Sequence, residues 1–229
     1  MSDIKLSPRL QTVAGFVRDG DMVADIGCDH ALVSAYLMQS GIAKHVYAAD
    51  VNQKPLSRAV ETIKKHQLQN GVSLVLSDGL QAVPPEVDTV LIAGMGGELI
   101  IDILRQAKWL KNPCKRLVLQ PMSFAEKLRS YLWQEGFFIK EEIPVFEDAH
   151  VYTVLCASYS GEIKHMPYWK TLLGCVDLQK NEGKRYLQKV LDTQQHILNG
   201  MKCAKLSASQ HEEQQKLVDK LIKIQEEIK

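Results

Sequence analysis

The chain has 229 residues, 45% of them hydrophobic and 24% charged, with a net charge of +1; that balance excludes a disordered chain and fits a globular protein of one or two domains. Residues 1–160 carry 16 basic and 18 acidic side chains and residues 161–229 carry 12 and 9, so the cationic excess lies late in the chain, where a polyanion would be met. The five scattered cysteines (Cys28, Cys114, Cys156, Cys175, Cys203) form no C-x-x-C pair, which argues against a disulfide framework or a metal site. No apolar run approaches ~20 residues and no leader pattern opens the chain, so a cytoplasmic protein without membrane contact is expected.

Apolar β-branched runs then alternate with segments of helical period, the pattern of a parallel sheet covered on both faces. "MVADIG" (residues 22–27) reads as the first strand, and "HALVSAYLMQSG" as a helix stopped by Gly41. "HVYAAD" (45–50) is the second strand, followed by a helix over 55–68 with Pro55 in its first turn. "VSLVLSD" (72–78) and "DTVLIAG" (88–94) are the third and fourth strands, joined by a loop with room for at most a short helix. "ELIIDILRQA" is a helix, "RLVLQP" the fifth strand, and "SFAEKLRSYLWQEG" a helix ending at Gly136. Residues 137–159 then hold two extended runs meeting near 147–149, a hairpin that closes a seven-stranded sheet.

After Ser160 the pattern is helical. Leu187, Leu191, Gln194, Leu198 and Met201 form one stripe, and Leu217, Leu221, Ile224 and Ile228 another. Ser207 and Gln210 offer a capping box for the last helix, and Asn199–Gly200 is a point where the earlier one could break. The expected architecture is α/β: a Rossmann-like seven-stranded domain over 1–160, and an antiparallel, coiled-coil-like helical hairpin over 161–229.

In an open parallel sheet the ligand sits beyond the carboxyl ends of the strands. Here three consecutive strand ends carry Asp25, Asp50 and Asp78, and a fourth carries Ala93, Gly94, Met95, Gly96 and Gly97. The first turn, "DIGCDH", has Asp29 where a dinucleotide-binding turn needs its second glycine. Carboxylates repel a pyrophosphate but suit an ammonium, a ribose diol, an exocyclic amine and a sulfonium. S-adenosylmethionine presents all four, so a methyltransferase is expected.

"DIGCDHALV", "YAADVN", "AGMGGELI", "LVLQP" and the helical tail together make the chain resemble the TrmK family of bacterial tRNA (adenine-N1)-methyltransferases. The resemblance runs from "LSPRL" through the hairpin and, more loosely, into the tail. It implies a class I methyltransferase domain, S-adenosylmethionine as cofactor, and a helical domain that helps to hold tRNA, with N1 of adenosine 22 as the target. Carried over by position, Asp25 and Gly27 lie against the methionine moiety, Asp50 on the ribose and Asp78 near the adenine. Cys28, Val51, Asn52, Gly79, Ala93, Gly94, Met95 and Gly96 complete the cofactor set. Residues 93–97 replace the N-P-P-Y-type motif of exocyclic amine methyltransferases, which leaves ring-nitrogen methylation open.

For that reaction the candidate catalytic residues are Asp29, with a carboxylate for the developing positive charge, His30 beside it, and Gln120 and Pro121, which with Met122 could wall the pocket. Tyr152 is a candidate for stacking on the extruded base, and Arg9 for RNA contact at the mouth. In the tail Lys164, His165, Tyr168, Trp169, Lys170, Lys184 and Arg185 combine charge with aromatic faces. Two other readings stay open: a nicotinamide-dependent oxidoreductase, and a non-enzymatic RNA- or protein-binding module. A monomer is compatible with the sequence, and a helical hairpin can also dimerise.

Overall fold

The computed structural model describes residues 3–201 and 208–228. In chain order its elements are α1 (Pro8–Gly15), β1 (Met22–Ile26), α2 (Leu32–Gln39), β2 (His45–Asp50), α3 (Gln53–Lys65), β3 (Val72–Leu76) and β4 (Thr89–Gly96). There follow α4 (Gly97–Gln106), β5 (Arg116–Ser123), α5 (Ala125–Gln134), β6 (Phe137–Glu147), β7 (His150–Tyr159), α6 (Tyr168–Leu173), α7 (Asn181–Met201) and α8 (Ala208–Glu227). One seven-stranded sheet has the order β3-β2-β1-β4-β5-β7-β6. Five strands are parallel, and β7 pairs antiparallel with both β5 and β6. It is the seven-stranded α/β sheet expected from the sequence.

Strand side chains alternate between two cores. On one face Ala24, Ile26, Val90, Ile92, Leu117 and Leu119 pack with Ile100 and Leu104 of α4 and Leu128 and Leu132 of α5. On the other, Val23, Val46, Leu91 and Val118 pack with Val13 of α1, Leu37 of α2, and Leu56 and Ile63 of α3. Each fully buried aliphatic side chain contributes roughly 1.5–3 kcal/mol, so these layers fix where the strand ends fall. Gly97 starts α4 where a side chain would strike the backbone carbonyls of Ser123 and Phe124; only a residue without Cβ lets the two strand ends approach so closely.

Three local differences from the sequence reading matter for the site. A helix not foreseen, α1, lies on the sheet, with Pro8 at its first turn. Asp29 and Ala31 have φ of 44° and 52°, so α2 starts at Leu32 and His30 stays in the turn. Strand β4 runs on past Gly94 to Gly96, with register shifts on either side of Met95. The break that the sequence left open at Asn199–Gly200 does not occur, and helix α7 runs through it.

A third cluster joins Leu173 of α6 to Leu187, Leu191 and Leu198 of α7 and to Val218 and Leu221 of α8. Gln214 donates to Gln194 (3.0 Å) and Gln225 to Gln188 (2.6 Å), an order in which α7 and α8 run antiparallel. The expected capping Ser207 and the cysteine at 203 lie outside the described residues. Among the described residues no helix is long and apolar enough to cross a membrane.

Candidate functional site

Strand order reverses between β1 and β4, and there the carboxyl ends leave a cavity of about 260 Å³. Asp25, Gly27, Cys28, Asp29, His30, Ala93, Gly94 and Arg9 all line it. The site lies at the switch in strand order where α/β sheets hold their ligands.

The β1 side is acidic, with Arg58 as a cation beside Asp29. Asp25 is buried and accepts a 2.6 Å hydrogen bond from Ser34 Oγ; burial raises its carboxyl above the usual range, against the lowering effect of the Ser34 hydroxyl and backbone amide. Gly27 turns with φ of 71° and donates its N–H to Ala49 O (2.8 Å). Burial, followed by the fields of Asp25 and Asp50, pushes the Cys28 thiol far above its ordinary value. Three carboxylates, Asp25, Asp29 and Asp50, thus stand close enough to this turn to act on the thiol. Asp29 is exposed, 3.5 Å from Arg58 and 3.6 Å from His30 Nε2.

At the end of β2, Asp50 is buried and accepts the Asn52 N–H at 2.9 Å, a turn that bends the chain into α3. Asp78 is exposed beyond β3, beside Gly79 with φ of 57°. Val51 and Leu76 expose large apolar side chains near these acids, as Leu32 does at the start of α2. Exposed apolar groups beside strand ends are surface on which a ligand can pack.

The β4–β5 side is built differently. Gln120 was expected to meet a base edge, but it is fully buried and its amide is spent internally. Its Oε1 accepts from Arg9 Nη1 (2.5 Å) and Gly94 N (3.0 Å), and its Nε2 donates to Pro121 O (2.9 Å). It therefore supports the pocket wall without reaching into it. Pro121 is buried with it, while Met122 and Phe124 expose their side chains.

Arg9 is correspondingly held in the pocket wall and not free at the surface. Its Nε lies 3.1 Å from Glu147 Oε2 at the tip of the hairpin, and its guanidinium sits 5.7 Å over the Tyr152 ring. Glu147 and Ser34 were missed in the sequence. Nothing local marks them, because their partners are far away in the chain or behind the turn.

In the tail the expected RNA contacts divide. Trp169 is partly buried against the third cluster, with Lys220 5.1 Å over its ring. Lys164 pairs with Glu162 at 3.0 Å. Tyr168 and His165 are exposed, Lys170 and Lys184 partly so, and Arg185 stacks 3.9 Å over Phe146 at the end of β6. The structure thus gathers the cofactor candidates and Arg9, Gln120, Pro121 and Tyr152 at one edge, and the tail candidates along α6 and the start of α7.

The profile of the Methyltransferase domain family matches residues 6–155. A tRNA (adenine(22)-N(1))-methyltransferase of Bacillus subtilis is 37% identical over 158 residues, 69% of this chain and 66% of that one, just under two thirds of its length. A crystal structure of a putative tRNA (m1A22) methyltransferase of Streptococcus pneumoniae in complex with S-adenosyl-L-methionine superposes with a TM-score of 0.80. It shares 30% identity, and the match covers 98% of this chain and 100% of that one. Mycoplasma capricolum TrmK with S-adenosyl-homocysteine superposes with a TM-score of 0.79 at 27% identity, over 98% and 99% of the two chains.

Proposed function

Because this chain belongs to the TrmK family of methyltransferases, we propose that it transfers a methyl group from S-adenosylmethionine to N1 of adenosine 22 in tRNA. The observation that carries the reading is the acidic half of the sheet edge. Asp25 and Asp29 line the cavity at the glycine turn, Asp50 ends the neighbouring strand β2, and Asp78 follows β3. A pyrophosphate would be repelled there, whereas a sulfonium with an ammonium and a ribose diol is matched group by group.

The donor set fits that cofactor. Asp25, held by Ser34, faces the methionine end. Asp50, fixed by its own turn, offers its carboxylate to the ribose diol, and Asp78 with Val51 and Leu76 takes the adenine. When bound, the cofactor supplies an electrophilic methyl group on positively charged sulfur.

Adenine N1 already carries a lone pair, so the protein's task is placement in line with the methyl group rather than proton removal; well-oriented placement can supply about 7–11 kcal/mol. Arg9, braced by Gln120 and Glu147, closes the wall opposite the acids and carries Tyr152 beneath it. Met122 and Phe124 offer apolar faces for a base drawn out of the RNA stack. Positive charge moves from sulfur to the ring during transfer. A carboxylate speeds the step only if it favours the ring over the sulfur; Asp29, exposed on its left-handed turn beside His30, is the group with room to do so. Residues 161–229 are the part that holds the RNA body.

The test is nucleoside mass spectrometry of tRNA incubated with the protein and isotope-labelled methyl donor. Labelled 1-methyladenosine confined to position 22 is expected. Label in another nucleoside, or none, overturns the reading.

A further inference from the structure

Outside the residues that line the pocket, the structure buries an ion pair whose partners come from several pieces of the chain. Arg129 of α5 is 1% exposed and lies 2.6 Å from Glu142 of β6. Its Nη2 also donates to Thr153 Oγ1 of β7 (3.2 Å) and Tyr186 Oη of α7 (2.9 Å). Its Nη1 donates to the carbonyls of Thr171 (2.7 Å) and Leu172 (2.9 Å), at the last turn of α6. Those carbonyls have no partner within a helix end, and a cation satisfies both their lone pairs and the helix dipole. The Tyr186 hydroxyl donates in turn to Leu172 O (2.8 Å). Glu142 Oε2 accepts the Cys175 N–H (2.9 Å), and Glu142 also bridges in parallel fashion to Val176.

The chain is shaped to permit this. Gly174 has φ of 63° and ψ of −143°, a combination open essentially to glycine alone. A Cβ at that position would run into Glu142 Oε2 and Arg129 Nε. Burial works against the charged guanidinium, yet Glu142 and Tyr186 more than offset it and hold Arg129 above the ordinary arginine value.

A buried ion pair is a poor device for stability, since an apolar replacement of similar volume does as well or better. Its use here therefore calls for another reason, which its anchor points supply. Lys170 directly precedes Thr171, and Lys184 and Arg185 directly precede Tyr186. Lys170, Lys184 and Arg185, expected to grip RNA, thus sit within two residues of groups that Arg129 holds. Arg185 stacks on Phe146, and the next residue, Glu147, holds Arg9 in the pocket wall.

We infer that the Arg129–Glu142 pair is a positioning device that registers the RNA-gripping face of α6 and α7 to the methyl-transfer pocket. It acts on presentation of the RNA and leaves cofactor binding untouched. This rests on the proposed tRNA methylation.

The test compares wild type with Gly174→Ala, Tyr186→Phe and the double variant Arg129→Met/Glu142→Leu, which removes both charges but keeps the volume. The readouts are KM for tRNA, kcat at saturating tRNA, affinity for S-adenosylmethionine, tRNA affinity by gel shift, and thermal midpoint. The expected result for Gly174→Ala and the double variant is a KM and a tRNA dissociation constant raised about tenfold, with cofactor affinity and kcat within about twofold of wild type; Tyr186→Phe should shift them in the same direction by less. A parallel fall in cofactor affinity, kcat and thermal midpoint with KM unchanged would make the pair mere structural support and overturn the inference. Variants that match wild type in every readout overturn it as well. A wild type that binds tRNA without methylating it sinks the functional reading instead, and the gel-shift comparison still decides for or against the clamp.

Discussion

The two halves of the sheet's carboxyl edge face each other across the gap between β1 and β4, and they handle charge in opposite ways. On the β1–β2–β3 side the acids stand at or just past the ends of their own strands, and groups from the segment that follows hold two of them: Ser34 for Asp25, the Asn52 amide for Asp50. On the β4–β5–β7 side charge is neutralised across long stretches of chain. Arg9 reaches Gln120 over 111 residues and Glu147 over 138. One half keeps a net field and the other cancels it. The proposed function assigns a cationic cofactor to the first, and to the second a neutral base that becomes cationic only on reaction.

The largest effect should come from removing an acid. Asp50→Ala should abolish detectable methylation and weaken S-adenosylmethionine binding on the order of 10–100-fold, the range for a lost charge-assisted hydrogen bond. Gel shift should find tRNA affinity unchanged. Equal losses in both would erase the distinction between the halves.

Next is Gln120→Leu, which leaves Arg9 Nη1 and the Gly94 N–H without their shared acceptor. About 1–3 kcal/mol of stability should be lost, read by denaturant titration, and kcat should fall more than cofactor affinity. A variant that loses cofactor binding first would place Gln120 functionally with the acids.

The smallest effect reads the field itself. Burial and the carboxylates of Asp25 and Asp50 keep Cys28 a protonated thiol through neutral and mildly alkaline pH. Alkylation, followed by peptide mass spectrometry, should mark exposed Cys114 well before Cys28. The Cys28 rate should go on rising with pH beyond the range where an ordinary thiol levels off. Asp50→Asn should speed alkylation of Cys28 a few-fold by relieving part of the field. An unchanged rate would mean that burial alone protects the sulfur.

What the sequence reveals follows the same division. The acids at the strand ends are legible because a strand's period and its terminal residue are both local, and so are the hairpin and the stripe of Leu187, Leu191 and Leu198. The shifted start of α2 was hidden because a left-handed Asp29 looks like any aspartate until its φ is known. Gln120 was misassigned as a base contact because burial cannot be read from an amide flanked by strand residues. Helix α1 had its signal in Ser7 and Pro8, an entry to a helix that the alternation of strands overshadowed. The Arg129 network left no trace at all: its members lie on α5, β6, β7, α6 and α7, and only the fold brings them together.

The most direct measurement is calorimetric titration of the unmodified protein with S-adenosylmethionine and, separately, with nicotinamide adenine dinucleotide. A saturable single site for the sulfonium compound and no heat from the dinucleotide is the predicted result. Comparable binding of the dinucleotide would mean that the aspartates at the strand ends do not select charge, and the assignment of the acidic half would be contradicted.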